Sequence, residues 1–161
     1  MADSPTVDLI SDYAAQIPIQ IIGNLFDMPQ ADREPLRDWS LAILGALEPT
    51  ISAEQQRLGN EAVSLFTHYL CDLVAARRLT PGDPETDVLS RLIATDNEHI
   101  SESELLQNCI FILNAGHETT TNLIGNALHA LHENPDQKKR LLNQPDIIAT
   151  GVDEFLRYLS P

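Results

Sequence analysis

Basic residues are scarce in this chain. Ten lysines and arginines stand against 24 aspartates and glutamates, a formal charge of −14. That balance excludes nucleic acid and anionic membrane surfaces as electrostatic partners, since both need a cationic face. Cysteine is nearly missing. Cys71 and Cys109 both fall in helical patterns, so the expectation is two buried, reduced thiols of a cytosolic protein, not a disulfide framework. No apolar run reaches the length that spans a bilayer, so no membrane anchor is expected. Residues Met1 to Pro5 lack a basic region followed by an apolar run, so no signal peptide and a cytoplasmic location are expected. Strand patterns, repeats and low-complexity tracts are also missing. What remains is an all-α chain of 161 residues, enough for one domain with a real core.

The helices follow in order. Val7 to Ile17 predicts a short helix stopped by Pro18. A compact apolar helix then carries Ile19, Ile21, Ile22, Leu25 and Phe26, closed by Asp27-Met28-Pro29. Ala31 to Leu47 predicts a third, with Pro35 near its start or kinking it. Ser52 and Gln55 form a capping box that opens a helix running to about Leu79. Thr80-Pro81-Gly82-Asp83-Pro84 is the clearest loop. A short helix over Asp87 to Ala94 comes next, and Asp96 to His99 lead out of it. After the central helix described below, Asn134-Pro135 opens another short helix, whose Lys138, Lys139 and Arg140 read as a solvated face. Pro145-Asp146 starts the last helix, which runs to about Tyr158, before Ser160-Pro161.

The organising stretch is Asn114-Ala115-Gly116-His117-Glu118-Thr119-Thr120-Thr121-Asn122. It interrupts one long helix that Ser101 opens as a capping box with Glu104. Before it come Leu105, Leu106, Cys109, Ile110, Phe111, Ile112 and Leu113, a pattern that predicts burial nearly all round. After it, Leu123, Ile124, Ala127, Leu128 and Leu131 resume the apolar spacing. Ser101 to Glu133 would span roughly 50 Å at 1.5 Å per residue. The polar stretch forfeits helix propensity on the order of 4 kcal/mol. Such a conflict between local preference and pattern marks functional sites. Gly116 lets another group approach the backbone. Thr119 can bond a carbonyl one turn earlier or offer its hydroxyl to a ligand. Glu118 places an ionisable group in a mostly apolar rod.

Familiar site chemistries do not fit. A zinc-protease motif needs a second histidine four residues after His117, and that position is Thr121. No paired Glu-x-x-His motifs for a di-iron bundle occur. His129 and His132 read as a partly exposed helix end, not a metal pair. There is no Gly-x-Ser-x-Gly elbow and no phosphate-binding glycine loop. Glu154 and Arg157 share one helix face, an ordinary pairing by itself.

Order and spacing carry more than either motif alone. Ala115-Gly116-His117-Glu118-Thr119-Thr120 resembles the (Ala/Gly)-Gly-x-(Glu/Asp)-Thr-(Thr/Ser) motif of the central helix of cytochromes P450. Glu154-Phe155-Leu156-Arg157, thirty-six residues after Glu118, resembles that family's Glu-x-x-Arg motif. His132 to Gln137 resembles the family's link out of the central helix. Ile17 to Ile22 and Met28 to Arg33 resemble helices of its soluble bacterial members.

The resemblance implies the middle portion of the mainly-α P450 fold, with haem as cofactor. It implies that Ala115 and Gly116 lie against the distal haem face, where dioxygen binds. It implies that the Thr119 hydroxyl orients water and hands on protons there, and that Glu118 connects this relay to solvent. Glu154 and Arg157 would be a structural pair, and His117 fills a variable position without a role. A small apolar organic substrate and an electron-transfer partner are implied too. The family's Phe-x-x-Gly-x-x-x-Cys-x-Gly loop is absent, as are its early helices and its sheets. Neither Cys71 nor Cys109 has that context, and no residue here is expected to ligate a metal. The expectation is therefore a partial P450 domain over 1–161: a haem-thiolate monooxygenase segment, inactive as this chain alone. The competing expectation is a non-catalytic helical interaction or pocket protein derived from the fold.

Overall fold

The computed structural model describes residues 6–95 and 100–159. The expected features at Met1–Pro5, Asp96–His99 and Ser160–Pro161 lie outside them. Among the described residues there are seven α-helices and no strand: α1 (Gln16–Leu25), α2 (Leu36–Gly45), α3 (Ala53–Leu79), α4 (Val88–Thr95), α5 (Glu102–Glu133), α6 (Pro135–Asn143) and α7 (Ile148–Leu159). The chain divides into two compact units, Pro18–Glu118 and the remainder, and α5 runs unbroken from one into the other.

Local chemistry explains most of the boundaries. Ser52 Oγ accepts from the Gln55 amide at 3.1 Å while Gln55 Oε1 accepts from the Ser52 amide at 2.8 Å, closing the capping box of α3. Ser101 and Glu104 repeat the exchange at the start of α5, at 3.3 and 2.8 Å. The Ser101 hydroxyl, donating to the Glu104 carboxylate at 2.7 Å, and then the Ser101 amide hold that carboxyl below its usual range.

Proline placement differs from expectation. Pro18 does not stop a helix; it lies in the first turn of α1, where its missing N–H has no intrahelical partner to lose. Ile10–Ala14, separated from α1 by Ala15, form a π-helical turn. Pro35 falls at the start of α2, as expected, but the segment expected to begin that helix is a separate 3₁₀ turn, Gln30–Asp32. Pro145 likewise opens a 3₁₀ turn, Pro145–Ile147, ahead of α7.

The unit Pro18–Glu118 has a continuous apolar core. Ile19 and Ile22 of α1 meet Phe66, Leu70 and Val74 of α3, Leu89 of α4, and Leu105, Cys109 and Leu113 of α5. Helices α2 and α3 pack closely where Gly59 has no side chain, because a Cβ there would collide with Ala46. Trp39 tilts over Phe66 with ring centroids 5.3 Å apart.

The end of α1 is a Schellman turn with Asp27 in the left-handed region at φ 45°. Asp27 N–H donates to the Asn24 carbonyl and Met28 N–H to the Gly23 carbonyl. Arg33, nearly buried, donates to the Met28 carbonyl, Gln20 Oε1 and Asn24 Oδ1. Gly23 leaves room for that guanidinium, since a Cβ would lie 2.5 Å from Arg33 Nε. Arg77 bridges Asp27 and the buried Asp87 at 3.2 and 3.0 Å, and Asp87 also accepts from the Leu89 amide at the start of α4.

Helix α5 is not buried all round. Leu105, Leu106, Cys109 and Leu113 are buried, but Gln107, Asn108 and Phe111 are exposed, Phe111 by 69%. Its apolar residues surround the axis, yet neighbouring helices cover only one side. Cys71 is also more open than expected, partly exposed on α3, whereas Cys109 is fully buried.

The other unit holds the π turn, the C-terminal half of α5, α6 and α7. Ala14 and Ala15 are buried in it, and Gly125 of α5 faces Ile10 Cδ1 closely. Gly151 of α7 lies against Leu141 of α6.

Candidate functional site

Along the polar stretch of α5, exposure follows the helical turn. Phe111, Ala115 and Thr119, four residues apart, are exposed, while Leu113, His117 and Thr121 are buried. Gly116 and Glu118 are half-buried between the two faces. A Cβ on Gly116 would come 3.2 Å from Ile22 Cδ1, so the glycine admits α1 against α5.

His117 is 1% exposed, and its Nδ1 lies 3.1 Å from the hydroxyl of Ser40 on α2, itself fully buried. Burial holds the imidazole pKa below its ordinary value, and the Arg37 charge adds to that. The ring is therefore neutral at physiological pH. Sequence reasoning gave His117 no role. Its one legible signal was a histidine inside an otherwise small and hydroxylic stretch, and Ser40 carried none.

The exposed face suits one side of a flat apolar cofactor. Phe111 and Ala115 are apolar, Ala115 projects only a methyl, and Thr119 offers a hydroxyl beside them in the sequence. An axial thiolate is not available. Burial pushes the Cys109 thiol up to about 12, and the side chain faces the core. Cys71 sits on α3 with no loop to present it. His129 and His132 are exposed near the end of α5, and no cluster of three metal-ligating side chains occurs among the described residues.

Glu154 and Arg157 are joined as sequence spacing required. Arg157 donates through Nε and Nη2 to the two carboxylate oxygens of Glu154, each at 2.6 Å. The hydrogen bonds lower the Glu154 pKa and raise that of Arg157. Both side chains are well exposed. Beside them, α5, α6 and α7 enclose a groove of about 680 Å³ lined by Leu131, Leu141, Ile147 and Phe155, with Arg140 and Glu154 among its polar groups. That groove was not legible in the sequence, because its walls come from three helices that each look merely amphipathic. No described helix is long and apolar enough to cross a membrane.

The family model for cytochrome P450 matches residues 38–152, which takes in the whole polar stretch of α5. A Vitamin D(3) 25-hydroxylase of Pseudonocardia autotrophica is 39% identical over 159 residues, covering 99% of this chain and 38% of that protein. A biotin biosynthesis cytochrome P450 of Bacillus subtilis is 33% identical over 96% of this chain and 39% of its own length. The crystal structure of P450BioI in complex with hexadec-9Z-enoic acid ligated acyl carrier protein superposes with a TM-score of 0.86 at 34% identity, over 96% of this chain and 40% of that one. The chain thus spans about two-fifths of the length of the relatives it matches. Haem is the cofactor of that family, and its axial cysteine is not in this sequence. With the motif on an unbroken α5, the arginine–glutamate pair formed on α7 and the likeness running through nearly every residue, this chain belongs to the cytochrome P450 family.

Proposed function

We propose that this chain is the central portion of a P450 domain, residues 1–161 of it, and provides the distal wall of a haem-thiolate monooxygenase acting on a small apolar organic substrate in the cytoplasm. The observation that carries the reading is the exposure of Ala115 and Thr119 on one face of α5, with Glu118 adjoining them. Haem, when bound, supplies the oxygen activation. Inserting one atom of dioxygen into a C–H bond reduces the other to water and consumes electrons and protons. An electron-transfer partner supplies the electrons, and the proton path is this chain's task. Thr119 holds a proton on its hydroxyl at the exposed face, and Glu118, half-buried, exchanges protons between that hydroxyl and solvent. Ala115, exposed and projecting only a methyl, leaves the space above that face of the helix open, while Gly116 lets Ile22 of α1 pack beside it. Glu154 and Arg157 serve as a structural pair, joined by two hydrogen bonds.

Taken by itself, the chain is not catalytic. Cys109, buried with a raised pKa, favours for the isolated chain the second reading, a helical pocket or interaction protein derived from the fold. The test grafts residues 1–161 into the matching region of the Pseudonocardia relative, whose remaining length supplies the axial loop. The graft should give the reduced, carbon-monoxide-bound band near ~450 nm that cysteine ligation produces, and the isolated chain loaded with haem should not. In the graft, Thr119→Ala should cut product per electron-donor molecule consumed by roughly ten-fold or more. Unchanged coupling would remove Thr119 from the relay. A thiolate band from the isolated chain would overturn the assignment of the axial ligand to another segment.

A further inference from the structure

The family motif leaves its third position open, and in this chain His117 fills it. That side chain is the most deeply buried of the polar stretch, in a motif whose neighbours Ala115 and Thr119 are exposed. Its ring points away from them, towards α2, and Nδ1 shares a hydrogen bond with Ser40 Oγ. Both partners are almost fully buried, so the bond is shielded from water. Ser40 belongs to the α2–α3 pair, which Gly59 and the Trp39–Phe66 contact lock together.

We propose that the Ser40–His117 hydrogen bond is a positioning device: it anchors the motif turn of α5 to α2 and so sets the direction in which Ala115 and Glu118 face. The inference rests on the monooxygenase reading for its catalytic consequence, though not for the anchor itself. The physical argument is local. Glycine and the hydroxyl residues make 114–122 the weakest part of α5 in helix propensity. The helix there can over- or underwind, and successive side chains turn by about 100° per residue, so a small change at 117 re-aims 115 and 118. Apolar contacts, such as that of Ile22 beside Gly116, carry no preferred direction of their own. A buried hydrogen bond has a direction and is lost when the turn rotates.

The test uses Ser40→Ala, which removes one oxygen without adding bulk, His117→Leu, and the double variant. Amide exchange is followed by NMR in the 161-residue chain, and coupling and KM are followed in the graft. Ser40→Ala should speed exchange of amides 114–119 by roughly 2- to 12-fold, the range of one hydrogen bond, and leave the slowest amides of α3 unchanged. In the graft it should lower product per donor consumed with KM and the carbon-monoxide band unaltered. His117→Leu should accelerate at least the same amides, and adding Ser40→Ala to it should change their exchange little further, since the bond between the two is already lost. If His117→Leu does not fold, Ser40→Ala decides alone. Equal acceleration of every amide would overturn the proposal, because the bond would then serve general stability. No acceleration would overturn it as well. Faster local exchange with unchanged coupling, in a graft where Thr119→Ala is also silent, would keep the anchor and reject the monooxygenase reading of the motif.

Discussion

A single side chain shows how environment decides chemistry. His117 has the same imidazole as His129 and His132, yet they are exposed and it is sealed between α5 and α2. Its folded pKa lies below the ordinary value near ~6.5, through burial first and the Arg37 charge second. The unfolded chain therefore binds a proton there at a higher pH than the folded one. Its contribution to stability is present above about pH 6.5 and is lost as pH falls towards the folded pKa. Urea unfolding at pH 7.5 and pH 5.5 should show lower stability at the acid end, and His117→Asn should reduce that difference. The lowered carboxylates Glu54, Glu104 and Glu154 lose their contributions only below about 4.5, outside this window. An equal pH dependence in wild type and variant would show that the histidine is not the titrating group. Residue identity gave Glu118 and Thr119 as candidates through motif spacing. Nothing in the residue order could place His117 beside Ser40, 77 positions away.

At the scale of the element, α5 carries two demands at one turn. Gly116 is poor in a helix by about 1 kcal/mol relative to alanine, and it is also where Ile22 of α1 comes closest. An added methyl would sit 3.2 Å from Ile22 Cδ1, the far end of a flexible side chain that can yield. Gly116→Ala should consequently be close to neutral in denaturant unfolding, propensity offsetting the contact. Gly116→Val adds two further methyls against Ile22 with no room to turn, and should cost about 1–3 kcal/mol. Similar stabilities for the two variants would mean that α1 does not press on this turn. The helix ends were legible because their signals are local. Ser52 with Gln55 and Ser101 with Glu104 each lie three residues apart, and both capping boxes form. The closure of α1 at Asp27-Met28-Pro29 was legible as well, and Asp27 takes the left-handed turn there, but the bracing of that turn was not. That bracing comes from Arg33, which reaches back across the chain to Met28, Gln20 and Asn24 through the space Gly23 leaves for it.

For the whole molecule, the apolar surface is the telling quantity. Leu47, Leu79, Phe111, Leu142 and Tyr158 are each exposed by two-thirds or more, and the groove beside α7 adds further apolar wall. Exposed apolar side chains of this size, together with an apolar groove, favour association of copies and binding of apolar dyes. The isolated chain should be helical by circular dichroism and should bind a hydrophobic dye strongly. Its melting should depend on protein concentration as the open faces associate. The charge of −14 favours solubility through mutual repulsion without improving the packing. A sharp, concentration-independent melt from a monomer that ignores the dye would contradict this.

Amino-acid order alone settled which segments are helical, where most of them start and which family they belong to. Those features depend on neighbours within a few residues, or on two motifs whose spacing along the chain is itself the signal. Tertiary structure decided which side of α5 is covered, that Cys109 is sealed and Cys71 is not, and that a histidine at an open motif position is tied to α2. The reason is geometric. Apolar residues encircle α5 in sequence, and the helices that pack against it choose which of them to bury. Phe111 stays in the open and His117 goes into the core because covering is a property of partners, which one helix's sequence does not contain.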